Sequence, residues 1–216
     1  RLTNVQRIEA FRDFGHSYEL LLDRIGTEEG FTRADKVESE LPAKYSYYQM
    51  LGIADISQVN IDKIREKNDV TESLRVPIGI NSKGEKVFLD LHQKGDGPNG
   101  LIIGPTGSGK SEFLLTLCLS LCLSFSPREV KIHIIDQKGG GMVHELEGLP
   151  HLGTCLTKID DTEIEEFMEA IEKEVGHRYQ VLERYSVSNI YQYIKTQKIS
   201  GEPMEDMPHI LILFDV

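Results

Sequence analysis

The most constraining feature of the sequence is a glycine-rich stretch between two apolar runs. It reads Gly104-Pro105-Thr106-Gly107-Ser108-Gly109-Lys110-Ser111, which matches the phosphate-loop pattern of Gly, four residues, Gly-Lys and then Ser or Thr. Leu101–Ile103 precede this loop and Ser111–Phe125 follow it, before Pro127. Such a loop connects a buried strand to a helix, so we predict a strand at Leu101–Ile103 and a helix at Ser111–Phe125.

The residue types of this loop suit a nucleoside triphosphate with Mg²⁺. Glycines let backbone N–H groups turn inward around phosphates, and the start of the following helix adds its positive dipole end. Lys110 is expected to act in catalysis by bridging the β- and γ-phosphates, and Ser111 to place its hydroxyl on Mg²⁺. Thr106 and Ser108 are expected only to shape the loop. A glycine-rich turn that matches by accident is the alternative.

Asp215 is the predicted second ligand of Mg²⁺. It directly follows the apolar run Ile210–Phe214, which predicts a buried strand. A phosphate loop needs an Asp at the end of another buried strand to hold Mg²⁺ through water, so we assign Asp215 a catalytic and metal-binding role beside Ser111. An Asp that only caps a turn is the alternative. ATPases of this type often carry a Glu next as general base, but Val216 stands there, so the hydrolytic base is not assigned.

Further apolar runs extend the pattern to an α/β fold with a parallel sheet. Val130–Ile135 predict a second buried strand, and Asn189–Lys195 a short helix. A long helix after residue 160 is expected to be amphipathic and to lie against the sheet. Its predicted apolar face consists of Ile164, Phe167, Met168, Ile171, Val175 and Leu182.

The segment Asp136–Gly141 follows the Val130–Ile135 strand directly. It is therefore expected at the carboxyl edge of the sheet, where α/β folds bind ligands. A flexible glycine-rich connector is the alternative interpretation.

Three segments are predicted along the chain. Residues 1–40 are expected to be a helical appendage whose placement the sequence does not define, and residues 41–75 a helical adaptor packed on a larger core. Residues 76–216 are expected to form that core. The core opens with a hairpin of two strands, Val76–Ile80 and Val87–Leu91, around a glycine-containing turn.

Composition excludes several classes of protein. The sequence has 24 Lys and Arg against 35 Asp and Glu, a net charge of −11, which disfavours a mainly basic binder of nucleic acid or membrane surfaces. The longest apolar run, Phe113–Phe125, falls short of the roughly 20 residues that span a bilayer, so no membrane segment is expected, and no signal peptide either. The three cysteines are expected to be reduced core thiols, and no zinc site is expected.

Together these motifs resemble the FtsK/SpoIIIE-type ATPases. The resemblance rests on four segments between about Leu41 and Asp215: Gly104–Glu112, Asp136–Met142, Leu149–Thr154 with Asp160, and Pro208-His209 before the Asp215 strand. Asn189–Lys195 also fits the Asn-x-x-x-Tyr segment of such domains. Within this family, Asp-x-Lys-Gly-Gly-Gly-Met followed by Leu-Pro-His-Leu is similar to the membrane-anchored motor ATPases of type VII secretion, the EssC/EccC group.

The resemblance implies a RecA-like P-loop NTPase fold that binds ATP and Mg²⁺. The predicted nucleotide-binding residues are Gly104, Pro105, Thr106, Gly107, Ser108, Gly109, Lys110, Ser111 and Glu112. The family's later strands, sensor and arginine finger do not follow Asp215 here, so we expect the core to be incomplete on its C-terminal side and the isolated chain to hydrolyse ATP poorly.

The resemblance also implies partners and a place in the cell. The expected partners are other ATPase domains of the same motor, further copies in a homo-hexamer, and exported helical-hairpin proteins of the WXG type. The expected location is the cytoplasmic face of the bacterial cell membrane.

Three functions remain open at this point. We favour an ATP-binding module of a type VII secretion motor. A DNA-translocating motor of the FtsK type shares the loop and the fold, but only Lys63, Arg65 and Lys67 offer a basic patch, so no strong binding of nucleic acid is expected. A regulatory module that holds ATP without hydrolysing it is the third possibility.

Overall fold

The computed structural model describes residues 45–215, apart from residues 82, 158–160 and 202. The predictions for residues 1–40, for Asp160 and for Val216 lie outside the described residues.

Short helices precede the first strand. They are α1 (Tyr47–Leu51), a 3₁₀ turn at Ile56–Gln58 and α2 (Ile61–Arg65). Ser46 caps α1 because its hydroxyl accepts from the Gln49 amide at 3.2 Å, while its own amide donates to the Gln49 side chain at 2.8 Å. These helices lie in the segment predicted as an adaptor. That residues 41–75 form a separate unit of the protein stays a prediction.

The predicted hairpin is confirmed. Strands β1 (Arg75–Ile80) and β2 (Lys86–Asp90) pair antiparallel, with an irregularity in register between Pro77 and Gly79. β1 packs on the helix that follows the phosphate loop, since the Ser120 hydroxyl of that helix donates to the Pro77 carbonyl at 2.6 Å.

The predicted parallel sheet is also confirmed. Strands β3 (Val130–Asp136), β4 (Leu152–Leu156) and β5 (His209–Asp215) form a three-stranded sheet in the order β4-β3-β5. β3 lies in the centre, pairs parallel with both neighbours and is largely buried. The sequence analysis did not predict β4, because Gly153 and Thr154 interrupt its short apolar pattern.

Four further helices follow the hairpin in the part of the chain that the structure describes. They are α3 (Lys110–Ser124), α4 (Gly141–Leu146), α5 (Asp161–Arg184) and α6 (Ile190–Ser200). The helix predicted at Ser111–Phe125 is confirmed as α3, which buries eight of its residues, among them Cys118 and Leu121. No helix among the described residues combines the length and the apolar character that crossing a bilayer requires.

The prediction of a buried strand at Leu101–Ile103 is wrong. These residues form no strand, and their side chains are 57%, 40% and 49% exposed. An apolar run becomes a strand only where a neighbouring strand satisfies its backbone groups. In the described sheet neither edge strand, β4 or β5, pairs with Leu101–Ile103, so the backbone groups of this run have no described strand partner.

One residue of the predicted apolar face of α5 is also misplaced. Val175 is 45% exposed, whereas Val181, which the sequence analysis left out, is fully buried. Burial continues beyond Val175, since Glu174 and Arg178 are half-buried and Val181 is buried, so the packed face of this helix runs beside Val175. Apolar periodicity alone does not locate that face.

Candidate functional site

The glycine-rich loop ends in a helix start that lacks a side-chain cap. Gly109 occupies the N-cap position of α3 with a φ of 91°, in the left-handed region that favours glycine, and makes no side-chain hydrogen bond. The first amide groups of a helix have no partner within the helix, so here they stay available to an anion.

Gly104 at the other end of the loop permits a close approach. A Cβ atom added there would lie 2.5 Å from the Ser108 hydroxyl oxygen, which is closer than real contacts allow. The Ser108 amide donates to the Pro105 carbonyl at 3.1 Å and holds the turn between them. A side chain at position 104 would therefore force the Ser108 hydroxyl to move.

Lys110 folds back over this loop. Its Nζ atom donates to the carbonyl oxygens of Gly104 at 2.7 Å and Pro105 at 3.2 Å. The ammonium group therefore lies on the loop, within reach of any phosphate that the loop holds.

Ser111 and Asp215 meet although they are 104 residues apart in the chain. The Ser111 hydroxyl donates to Oδ2 of Asp215 at 3.3 Å, at the point where the start of α3 approaches the end of β5. The Asp215 side chain is only 7% exposed. A hydroxyl and a carboxylate are hard oxygen ligands of the kind Mg²⁺ prefers, so these two residues fit that ion.

Lys138 is the charged residue of this cluster to which sequence reasoning gave no role. Its Nζ atom lies 2.9 Å from Oδ1 of Asp215. Asp136 is the β3 residue in register with Asp215, and the loop after it carries Lys138 to the end of β5. The sequence analysis placed Asp136–Gly141 at the carboxyl edge of the sheet, which could have suggested a contact with another strand end. Only the strand order shows that β5 is the neighbour of β3.

The remaining predicted residues lie on the loop or next to it. Thr106 and Glu112 are exposed, and Glu112 belongs to the first turn of α3, where its backbone carbonyl accepts from the Thr116 hydroxyl at 2.8 Å. The structure therefore brings all nine predicted nucleotide-binding residues, Gly104 to Glu112, into one continuous loop and helix start.

The cysteines do not contribute to this site. All three are free thiols, and burial raises the pKa of Cys118 to about 12 and that of Cys122 to about 11. Such thiols stay protonated at neutral pH and are poor nucleophiles and metal ligands. Within residues 45–215, as far as they are described, no group of three His, Cys, Asp or Glu side chains is placed to hold a metal ion.

Two curated proteins with similar sequences belong to secretion systems. The type VII secretion system protein EssC of Staphylococcus aureus strain Mu50 is 33% identical over 181 residues, which is 84% of this chain and 12% of EssC. The ESX secretion system protein YukB of Bacillus subtilis strain 168 is 34% identical over 181 residues, 83% of this chain and 12% of YukB. The chain thus spans about an eighth of the length of the curated relatives it matches.

A solved structure shares the fold. The cytoplasmic domain of the type VII secretion ATPase EccC of Thermomonospora curvata aligns with a TM-score of 0.71 at 30% identity, covering 80% of this chain and 21% of that one. This likeness confirms the predicted α/β fold of a P-loop ATPase domain.

A family model provides the assignment. The model of the FtsK/SpoIIIE family matches residues 61–214, a range that includes the glycine-rich loop, Lys138 and almost all of β5. Because the match covers well over half of the sequence, the chain belongs to the FtsK/SpoIIIE family.

Proposed function

We propose that the chain binds ATP with Mg²⁺ through the loop and helix start Gly104–Glu112 together with Asp215. The observation that carries the proposal is the convergence of three groups at one place: the uncapped start of α3, the Lys110 ammonium group and the Ser111–Asp215 pair at 3.3 Å. Amide donors and an ammonium group suit phosphate oxygens, and the hydroxyl and carboxylate suit Mg²⁺.

Each side chain has a separate task in this proposal. Lys110 leaves the loop carbonyls and binds the β- and γ-phosphates, so it is the catalytic residue that acts on the reacting group. Ser111 and Asp215 would hold Mg²⁺ with their hydroxyl and carboxylate oxygens, which gives Asp215 a role in catalysis through the metal. When bound, Mg²⁺ neutralises the charge that develops on the phosphates.

We further propose that the chain is the ATP-binding module of a type VII secretion motor. Its similarity to EssC, YukB and EccC, all secretion proteins, supports this assignment. The proposed partners are other ATPase domains of the same motor, further copies in a homo-hexamer and helical-hairpin proteins of the WXG type as cargo. The proposed location is the cytoplasmic face of the bacterial cell membrane.

Replacement of Lys110 tests the nucleotide site. Lys110→Ala removes a charge-assisted contact to phosphate worth about 1.5–3 kcal/mol, so we expect ATP affinity to fall roughly tenfold to a hundredfold. The measurement is calorimetric titration of the 216-residue chain with ATP and Mg²⁺. Lys83→Ala is the matched control, since Lys83 is exposed in the turn between β1 and β2. Equal ATP affinity in wild type and Lys110→Ala would refute the proposed site.

A further inference from the structure

We propose that Lys138 is a built-in counter-ion of Asp215 that occupies its carboxylate when no metal is bound and competes with Mg²⁺ for it. This inference rests on the proposed function, because it assumes that Asp215 serves Mg²⁺ beside a bound nucleotide. It makes Lys138 a positioning residue that sets how strongly nucleotide binding depends on the metal.

The two oxygens of the Asp215 carboxylate face different partners. Oδ2 accepts from the Ser111 hydroxyl at 3.3 Å, on the side of the glycine-rich loop. Oδ1 accepts from Lys138 Nζ at 2.9 Å, on the side of the loop after β3. The shorter and charge-assisted contact is the one with Lys138, so this ammonium group is the principal neutralising partner of the carboxylate.

Burial distinguishes this pair from ordinary surface ion pairs. The Asp215 side chain is 7% exposed and that of Lys138 is 48% exposed. In the Arg128–Asp206 pair, by contrast, the two side chains are 77% and 37% exposed. A buried carboxylate needs a partner to offset its lost hydration, whereas an exposed pair contributes little.

The backbone around Lys138 forms hydrogen bonds with residues of β3 and β5. The Lys138 amide donates to Oδ1 of Asp136 at 2.8 Å, and the Gln137 amide donates to the Asp215 carbonyl at 3.0 Å. On the other side, a Cβ atom on Gly140 would lie 3.0 Å from the Thr157 side chain. Lys138 therefore starts from a defined backbone position beside Asp215, and its half-exposed side chain has solvent into which it can move.

These contacts imply an exchange of cations at Asp215. Mg²⁺ and the Lys138 ammonium group both interact with the same carboxylate. Displacing Lys138 therefore costs free energy and lowers the affinity for the metal. Without Lys138, the unpaired carboxylate repels the phosphates of ATP and lowers ATP affinity in the absence of metal. When Mg²⁺ is present, it binds the carboxylate without displacing a lysine. Both effects increase the gain in ATP affinity that Mg²⁺ provides.

The experiment measures that gain directly. Calorimetry on the full chain gives ATP affinity in excess Mg²⁺ and in EDTA, and the ratio of the two is the Mg²⁺ gain. We expect Lys138→Met, which keeps the side-chain length and removes the charge, to raise the gain about tenfold, the size of one charge-assisted contact. Lys138→Arg keeps the charge and should leave the gain near that of the wild type. Lys138→Gln replaces Lys138→Met if thermal unfolding of the ligand-free chain shows that the Met variant does not fold.

Two further variants exclude a general effect of charge or structure. Lys131→Met removes a lysine from the opposite end of the same strand, β3, and should leave the gain unchanged. In an Asp215→Asn background, Lys138→Met should no longer alter the gain, because the group for which the two cations compete is gone.

The outcomes separate the two proposals. If the wild type binds ATP with a Mg²⁺ gain and Lys138→Met has the same gain, the inference is wrong and the proposed function stands. If the wild type binds no ATP under either condition, the proposed function fails and the inference fails with it. A raised gain that persists in the Asp215→Asn background also overturns the inference, since Lys138 then acts through another group.

Discussion

At the scale of single residues, the cations of the candidate site are already bound to groups of the protein. The Lys110 ammonium group lies on two loop carbonyls, and that of Lys138 lies on the Asp215 carboxylate. At the proposed site a triphosphate with its metal would have to replace these contacts, so its affinity would be the balance between contacts made and contacts broken.

His209, at the far end of β5, is a histidine whose ionisation depends on the fold. Its ring lies 5.5 Å from that of Tyr191, which in turn lies 4.6 Å from the buried His92 ring. Its Nε2 atom is buried and has no hydrogen-bond partner among the residues that the structure describes. Burial, then the nearby His92 and Arg178, lower the pKa of His209 from 6.5 to about 4.

This lowered pKa predicts acid sensitivity within a defined window. Above pH 6.5 the ring is neutral in both the folded and the unfolded chain, so stability is fully present. Between pH 6.5 and about 4 only the unfolded chain takes up the proton, so the free energy of unfolding falls as pH falls, by up to about 3 kcal/mol from this residue. Urea unfolding at several pH values measures the slope.

Variants separate the contribution of His209 from those of the other histidines. Burial also lowers the pKa of His133 and of His151, so the wild-type slope includes them. His209→Phe keeps a ring beside Tyr191 and should show a shallower slope, whereas His144→Phe, whose histidine side chain is 85% exposed, should not. Equal slopes in wild type and His209→Phe would contradict the prediction.

At the scale of elements, α3 joins the site to the rest of the core. Its first turn carries Lys110 and Ser111, and its last turns contact β1 and the segment before it. The Ser120 hydroxyl forms a hydrogen bond with the Tyr47 hydroxyl at 2.8 Å and donates to the Pro77 carbonyl at 2.6 Å. The position of the glycine-rich loop therefore depends on how well this helix packs.

Truncation of a buried side chain on α3 tests how much the packing of this helix contributes to stability. Leu121 is 1% exposed, so Leu121→Ala leaves a cavity and should lower the free energy of unfolding by about 2–5 kcal/mol. Ile199→Ala on α6 is the control, since Ile199 is 84% exposed and its change should stay within about 0.5 kcal/mol. Chemical unfolding followed by circular dichroism measures both, and similar losses in the two variants would show that α3 is not the packed centre.

At the scale of the whole molecule, charge argues against DNA as cargo. The net charge of −11 repels a phosphate backbone, and the predicted basic patch is broken in the structure. Arg65, its central member, is half-buried and donates to the Cys122 carbonyl at 2.9 Å, while Lys63 and Lys67 are exposed. Only Lys63 and Lys67 of these three cations are therefore exposed and able to contact the phosphates of a duplex.

We predict that the chain binds duplex DNA no more tightly than about 10⁻⁴ M at physiological salt, the weak end of the non-specific range. Fluorescence titration of a labelled duplex at two salt concentrations measures this affinity. A parallel titration with peptides from helical-hairpin proteins tests the proposed cargo. Micromolar, salt-sensitive binding of the duplex would favour a DNA-translocating motor over a secretion motor.

The sequence by itself determined the elements whose signals are local. The spacing of Gly104, Gly109, Lys110 and Ser111 indicates the loop because the turn and the phosphate cradle depend on residues close together in the chain. The hairpin, α3 and β3 were likewise predicted from contiguous apolar patterns and turn residues. The nucleotide-binding role of the loop follows from those residue types and stays a proposal.

Only the tertiary structure decided what depends on neighbours distant in the chain. Leu101–Ile103 has the composition of a buried strand, yet it is exposed because no described strand lies beside it. Val175 fits the apolar period of α5 but lies beside its packed face, which continues to the buried Val181. Lys138 reaches Asp215, 77 residues away, because β3 and β5 are neighbours in the sheet. Strand order is set by the balance of packing over the whole chain, and no local pattern in the sequence specifies it.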